Sequence, residues 1–217
     1  DQFEKQDNIR WWPEMFVPLV SAAMLSLIEP NSKILDLYRK RWANFAETAF
    51  SQGYYNKEEE TRSQHEYFGF ITKRTIPAFG YYNLILLAPT DKETYLSDKT
   101  DQALVDYCMN FADHIYYVYN CKLSDFVPIN VKRRDSRDFC HWVRALSLVS
   151  QFNGWIKYKD KYIEWIFGQR NGEGYWELPR KPDLFNFPLS DSWRKRKNRI
   201  IDSTIMVLRF LNRNRAF

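Results

Sequence analysis

The chain has 217 residues, of which 45% are hydrophobic, 27% charged and 18% aromatic. These proportions predict one soluble globular domain spanning residues 1–217, and the seven glycines are too few for the many turns of a β-sandwich or barrel. The net charge of +5 comes mostly from scattered basic residues, a pattern that does not favour nucleic acid as the partner. We see no signal peptide or transmembrane run, and three cysteines without framework spacing predict reduced thiols in a cytoplasmic protein.

Helical spacing of apolar residues marks the first half of the chain. The pattern predicts one helix over 13–30 and a second over 31–53, which a short loop joins into an αα-hairpin. The charged stretch 54–64 has no apolar period and is predicted to be a loop. Residues 67–87 are apolar but contain Pro77, which predicts a kinked helix or two short ones.

The second half shows the same organisation. Helices are predicted over 101–119, 136–152, 160–169 and 193–211, and a loop over 122–135. No pair of segments alternates like strands. The sequence therefore predicts an all-α fold of seven or eight helices, arranged as antiparallel helical hairpins.

The stretch 169–176 reads Gln-Arg-Asn-Gly-Glu-Gly-Tyr-Trp and lies between two predicted helices. Glycine permits positive φ in such a turn, and a tryptophan can clip adjacent hairpins together. Together with its flanking helices, over 140–212, this stretch resembles one repeat of the prenyltransferase and squalene cyclase superfamily. Four residues separate Gln169 from Gly174, one more than in that family's pattern.

The resemblance implies an α/α-toroid, and here a partial or divergent one. One good copy of the repeat is visible, whereas a closed ring needs several. The chain is also short for a complete ring of six hairpins. It could therefore be part of a longer protein or of a larger assembly.

The resemblance also implies two kinds of chemistry. Squalene-type cyclases use an Asp-x-Asp-Asp acid motif, and this sequence lacks it. Protein prenyltransferase β subunits hold zinc with an Asp-x-Cys pair and a distant His, which carries over to Asp106, Cys108 and His141. This donor set suits a catalytic zinc with one open position. Cys108 also falls on an apolar stripe, where a buried structural cysteine is the alternative.

Aromatic residues are the other candidates for a site, because such side chains line apolar ligand cavities. The candidates are Trp11, Trp12, Tyr116 and Trp142, together with Phe79, Tyr81, Tyr82 and Tyr117. The leading hypothesis is a toroid that binds or transforms an apolar, isoprenoid-like ligand. One alternative is a non-catalytic helical scaffold for a protein partner. Another is a carbohydrate-active toroid, which requires aromatic platforms and a carboxylate pair.

Overall fold

A computed structural model of the chain describes residues 9–90, 94–129, 135–178 and 194–215. Within these ranges the protein is all-helical and has no strand, as the periodicity predicts. A π-helical turn (Trp11–Phe16) runs directly into the first α-helix, and a 3₁₀ turn (Asn153–Lys157) precedes the seventh. The α-helices are α1 (Val17–Ile28), α2 (Ile34–Ala49), α3 (Lys57–Phe68), α4 (Tyr81–Leu87), α5 (Asp98–Asn110), α6 (Asp135–Val149), α7 (Lys159–Gly168) and α8 (Arg196–Arg213).

One hydrophobic core joins helices from both ends of the chain and runs from Trp11 to Leu211. Helix α1 packs against α2 and α4, α2 packs against α3, and α6 packs against both α4 and α8. Helices α1, α2, α6 and α8 turn an apolar stripe inward, because burial of that face stabilises the fold. All three cysteines lie in the described ranges and form no disulfide.

The π-helical turn and α1 form one continuous helix, Trp11–Ile28, that is long and apolar enough to cross a membrane by length and composition. The expectation of no transmembrane run stays a prediction, because length and composition alone do not distinguish a membrane-spanning helix from a core helix. Of this window, 39% is buried inside the fold. A helix near the N-terminus with one face in a core passes the same test as a membrane-spanning helix.

Helix α3 overturns the loop predicted for 54–64. Asn56 caps the helix, since its side-chain oxygen accepts hydrogen bonds from two backbone N–H groups of the first turn. The inner face of α3 is polar, and Glu60 and Gln64 on it are fully buried. That face binds backbone groups instead of apolar side chains. The segment therefore has no helical period of apolar residues, which is why the sequence predicted a loop.

Two other predicted helices are shorter than their patterns indicate. Of residues 67–87, only α4 forms a helix after the irregular segment that follows α3. Helix α5 ends at Asn110, well before residue 119, and a tight turn follows. Ile115 and Tyr119 close this turn with reciprocal backbone hydrogen bonds of 2.8 and 3.0 Å. Tyr117 at its tip has a left-handed φ of 68°.

The 169–176 turn follows α7 directly. Gly174 adopts a positive φ of 85°, as predicted. The indole Nε1 of Trp176 donates to the backbone oxygen of Ile166 at 2.8 Å, and its backbone N–H reaches Thr204 in α8. The tryptophan therefore ties the end of one helix to the middle of the next. The arrangement of the hairpins as a toroid stays a prediction, and Trp193 and residues 130–134 lie outside the described ranges.

Candidate ligand-binding cleft

A cleft of about 520 Å³ lies beside the N-terminal helix. Its walls come from the π-helical turn, the segment before α3, the segment leading into α4, and the end of α5 with the turn that follows it. Aromatic side chains dominate this lining. They are Trp11, Phe16, Tyr55, Phe79, Tyr81, Tyr82, Tyr107, Tyr116 and Tyr117.

Three of these rings form what we call the Phe16 cluster, made of Phe16, Tyr82 and Tyr117. The centroid of Phe16 lies 5.6 Å from that of Tyr82 and 5.9 Å from that of Tyr117. The two tyrosine rings are 5.7 Å apart. The tight turn at 115–119 thus places an aromatic ring against residues of the π-helical turn and of α4.

A second group, the Tyr55 cluster, consists of Tyr55, Phe79 and Tyr107, with centroid separations of 4.8 to 5.1 Å. Tyr116 connects the two clusters, because its ring lies 6.1 Å from Phe79 and 6.5 Å from Tyr117. All these separations suit favourable tilted or edge-to-face contacts. The cleft is therefore a continuous aromatic surface and not a set of isolated rings.

Two polar atoms in the cleft wall lack a hydrogen-bond partner among the described residues. They are the indole Nε1 of Trp11 and the side-chain oxygen of Asn83, and both residues are buried and line the cleft. The amide nitrogen of Asn83 donates to the backbone oxygen of Pro77 at 2.9 Å. Native proteins pair nearly all buried polar groups, so this donor and this acceptor remain available to a water molecule or to a bound ligand.

The charged residues of the lining are mainly basic. Lys57, Lys73 and Arg74 are exposed there, against the single carboxylate of Asp113 among the lining residues described. The Arg74 guanidinium also lies over the Trp11 ring, 5.6 Å from its centroid, a cation–π contact that orients both side chains. The field at the mouth of the cleft therefore favours negatively charged or electron-rich groups.

A buried carboxyl group stands behind the Tyr55 cluster. Glu60 is fully buried, and its two oxygens accept hydrogen bonds from the Tyr55 hydroxyl at 2.6 Å and from the Ala78 N–H at 2.7 Å. Burial raises the pKa of Glu60 to about 7, although these hydrogen bonds and Lys57 oppose the rise. Burial, and then the neighbouring carboxyl group, raise the pKa of Tyr55.

The structure places six of the eight aromatic candidates from the sequence in the lining of the cleft. They are Trp11, Tyr116, Phe79, Tyr81, Tyr82 and Tyr117. Trp12 is half-exposed beside it, with its ring 5.0 Å from that of Phe16. Trp142 lies elsewhere, fully buried in the core, and its Nε1 donates to the backbone oxygen of Leu123 at 3.0 Å. Its size and apolar spacing made it a candidate, and the same properties place it in the core.

The three candidate zinc ligands are engaged separately. Asp106 forms an ion pair of 3.0 Å with Lys157. Cys108 is fully buried on the inner face of α5, and burial raises the pKa of its thiol, which opposes the thiolate that zinc needs. His141 directs Nδ1 at the backbone oxygen of Val118. In the described part of the chain, no group of three His, Cys, Asp or Glu side chains is placed to hold a metal ion.

Sequence reasoning missed Tyr55, Glu60 and Asn83. Glu60 stands within a run of three glutamates, which resembles a solvated loop. Its one distinguishing signal is the spacing of four residues to Gln64, which places both side chains on the same face of a helix. Asn83 follows a pair of tyrosines, and nothing in that local pattern marks it as buried.

Comparison with known protein families, with curated proteins and with solved structures returns no match. The function is therefore inferred from the side chains of the cleft.

Proposed function

We propose that this protein binds an apolar, isoprenoid-like small molecule in the tyrosine-lined cleft. The observation that carries the proposal is the convergence of aromatic rings from separate segments around one volume of about 520 Å³. This volume falls in the range of roughly 300–1,000 Å³ that is typical of ligand pockets. Rings in the two clusters offer broad apolar faces, and burying them against a ligand is favourable.

The polar groups of the cleft support a ligand with one polar end. Trp11 Nε1 can donate a hydrogen bond and the side-chain oxygen of Asn83 can accept one. Lys57 and Arg74 favour an electron-rich or anionic end group at the mouth. The proposal is one of binding. The zinc ligand set has no part in it, because Asp106 is paired with Lys157 and Cys108 is buried.

We also propose that the hairpins follow a partial or divergent α/α-toroid plan. The 169–176 turn supports this, because Gly174 has a positive φ and Trp176 contacts both α7 and α8, as the resemblance to the repeat leads us to expect. An experimental structure tests the plan. Inner and outer helices alternating around a common centre would support it, and any other packing order would overturn it.

The binding proposal is tested with Nile red, a neutral apolar dye whose fluorescence rises in an apolar site. The ring of Tyr116 bridges the two clusters and is 42% exposed, so Tyr116→Ala removes it with little cost to the fold. Loss of one aromatic contact of about 1 kcal/mol weakens dye binding by a factor of about five. Failure of the wild type to bind the dye at all would refute the proposal.

A matched control addresses another apolar depression, of about 510 Å³ beside α8, which Tyr175 lines. Tyr175 is exposed to a similar degree, so Tyr175→Ala makes the same chemical change outside the cleft. We expect it to leave dye binding unchanged. The opposite pattern, in which this control loses binding and Tyr116→Ala keeps it, would move the dye site to α8.

Competition identifies the ligand class. Farnesol, an isoprenoid alcohol, should displace the dye from the wild-type protein, and Tyr116→Ala should weaken the binding of farnesol itself by a similar factor of about five. Displacement by cellobiose and not by farnesol would favour the carbohydrate-active alternative, since stacked tyrosines also bind sugar rings. Asp113 would then be the carboxylate to examine first, because it lines the cleft.

The scaffold alternative rests on a different surface, the tip of the α1–α2 hairpin. Four large aliphatic side chains are more than half exposed there, an apolar patch typical of a protein contact. They are Leu27, Ile28, Ile34 and Leu37. Concentration-dependent association that Ile28→Ser with Ile34→Ser abolishes, in a protein that binds no dye, would favour this function over the binding cleft.

A further inference from the structure

A single carboxyl group connects two walls of the cleft. Glu60 accepts a hydrogen bond from Tyr55, whose ring lines one wall, and another from the backbone of Ala78. Pro77 and Phe79, which flank Ala78 in the chain, line the facing wall of the cleft. Glu60 therefore lies one side chain behind the aromatic surface, and both of its oxygens hold parts of that surface in place.

The neighbouring turn of α3 shows that protein atoms have replaced water in this region. The side chain of Gln64, which is fully buried, donates to the backbone oxygen of Ile76 at 2.8 Å and accepts from the Ile76 N–H at 3.1 Å. Gln64 and Glu60 thus hold alternate residues of the segment that leads into the cleft wall. Of the two, Glu60 alone can change its charge.

The charged and titratable groups that face Glu60 come from three elements. They are Tyr55 before α3, Lys57 in the first turn of α3, and Tyr107 in α5. Lys57 is exposed to solvent, and the two phenols are neutral near pH 7. An ionised Glu60 is therefore stabilised by two hydrogen bonds and one distant, screened charge. Because burial raises its pKa to about 7, the group titrates near neutrality.

We propose that an apolar ligand binds preferentially to the form of the protein in which Glu60 is protonated, so that binding takes up a proton and weakens as the pH rises through neutrality. The proposal rests on the proposed function and adds its regulation. Glu60 is itself fully buried, but a ligand that replaces water against Tyr55 and Phe79 makes the surroundings one side chain away less polar and so raises the cost of its charge further. By linkage, a ligand that favours protonation binds more tightly where the proton is present.

Nile red tests this directly, because the dye carries no titratable group in the relevant range and any pH dependence belongs to the protein. We expect the affinity of the wild type for the dye to be constant near pH 5.5 and to fall several-fold by about pH 8.5. This follows because the complex holds the proton of Glu60 more firmly than the free protein does. Glu60→Gln keeps an oxygen for the Ala78 N–H and cannot ionise. Its affinity should not vary over this range.

Two outcomes would overturn the proposal while leaving the binding function intact. One is wild-type dye binding that Tyr116→Ala weakens but that does not change with pH. The other is a Glu60→Gln variant with the same pH slope as the wild type. Absence of dye binding at every pH would instead remove the proposed function itself, so the two failures are distinguishable.

If Glu60→Gln disturbs the structure, the pH dependence of the free energy of unfolding provides an independent test of the role of Glu60. The pKa of Glu60 is raised on folding, so its contribution to stability is fully present below the unfolded value of about 4.5 and is lost as the pH rises through about 7. The wild type should therefore lose stability to urea over this window, and a folded Glu60→Gln should not.

A second variant, Tyr55→Phe, acts on the same carboxyl group and keeps the aromatic ring. It removes the hydroxyl hydrogen bond that lowers the pKa of Glu60. The midpoint of the pH-dependent loss of dye affinity should therefore move to higher pH. A midpoint that stays in place or moves to lower pH would contradict the role of Glu60.

Discussion

Two aromatic regions of the protein differ in how their rings are enclosed. The cleft holds half-exposed tyrosines around a volume of about 520 Å³. The other region, which we call the Trp142 cluster, has three rings buried in the core and two half-buried rings packed against it, at centroid separations of 4.9 to 6.5 Å. Its members are Phe126, Phe139, Trp142, Tyr162 and Trp165.

The indole N–H groups of buried tryptophans also differ between the cleft and the second half of the chain. In the second half of the chain, Trp142, Trp155 and Trp176 each donate their Nε1 to an oxygen of another element at 2.7 to 3.0 Å. In the cleft wall, Trp11 is buried as well, yet its Nε1 meets no acceptor within the ranges the structure covers. The paired indoles fasten one element to another, whereas the indole of Trp11 leaves a buried donor available in the cleft wall.

The largest expected loss of stability comes from truncating the central ring of the Trp142 cluster. Trp142→Ala removes a fully buried side chain and should lower the free energy of unfolding by about 3–5 kcal/mol. Tyr116→Ala, in the cleft, should cost less than about 1 kcal/mol, because its ring is exposed to solvent. Urea titrations followed by circular dichroism measure both values. Equal losses would show that the cleft is as much a part of the core as the Trp142 cluster.

A smaller effect comes from changing each tryptophan to phenylalanine. Trp142→Phe leaves the backbone oxygen of Leu123 without its indole donor, whereas Trp11→Phe removes an N–H that has no partner in the described structure. Both changes lose similar volume, so the difference between them isolates the hydrogen bond. We expect Trp142→Phe to be the more destabilising by about 1 kcal/mol in the same urea assay. The reverse order would mean that the Trp11 indole is satisfied in the folded protein.

The helices that the sequence predicts well are those that bury an apolar stripe. Helices α1, α2, α6 and α8 follow the 3.6-residue period of their apolar residues, so their positions agree with prediction to within a few residues. Helix α3 is not predicted, because its buried face carries Glu60 and Gln64. Hydrogen bonds to a neighbouring segment replace apolar contacts there.

The cleft is foreseen only in part. Aromatic content predicted a ring-lined cavity, and Trp11 and Tyr116 lie in it. The same criterion also selected Trp142, because residue type and spacing do not reveal whether an indole finds an acceptor. Glu60 could not be recognised, since its burial depends on Ala78 and Tyr55, which reach it only in the folded chain.

The smallest expected effect concerns the turn that presents Tyr116 and Tyr117 to the cleft. Tyr117 adopts a φ of 68°, a conformation that costs a residue with a side chain roughly 1–2 kcal/mol and glycine almost nothing. Tyr117→Gly and Tyr117→Ala remove the same ring, but only the first relieves the strain. After the greater chain entropy of unfolded glycine is subtracted, the glycine variant should be the more stable by about 0.5–1 kcal/mol in urea.

Dye binding completes that comparison, because both variants lose the ring that lies 5.7 Å from Tyr82. Both should bind Nile red more weakly than the wild type, even though one of them folds more stably than the other. Such a result would show that the strained backbone of Tyr117 is retained for the position of its ring. A glycine variant that is no more stable than the alanine variant would mean that the turn carries no strain to release. Unchanged dye binding in both would remove Tyr117 from the site.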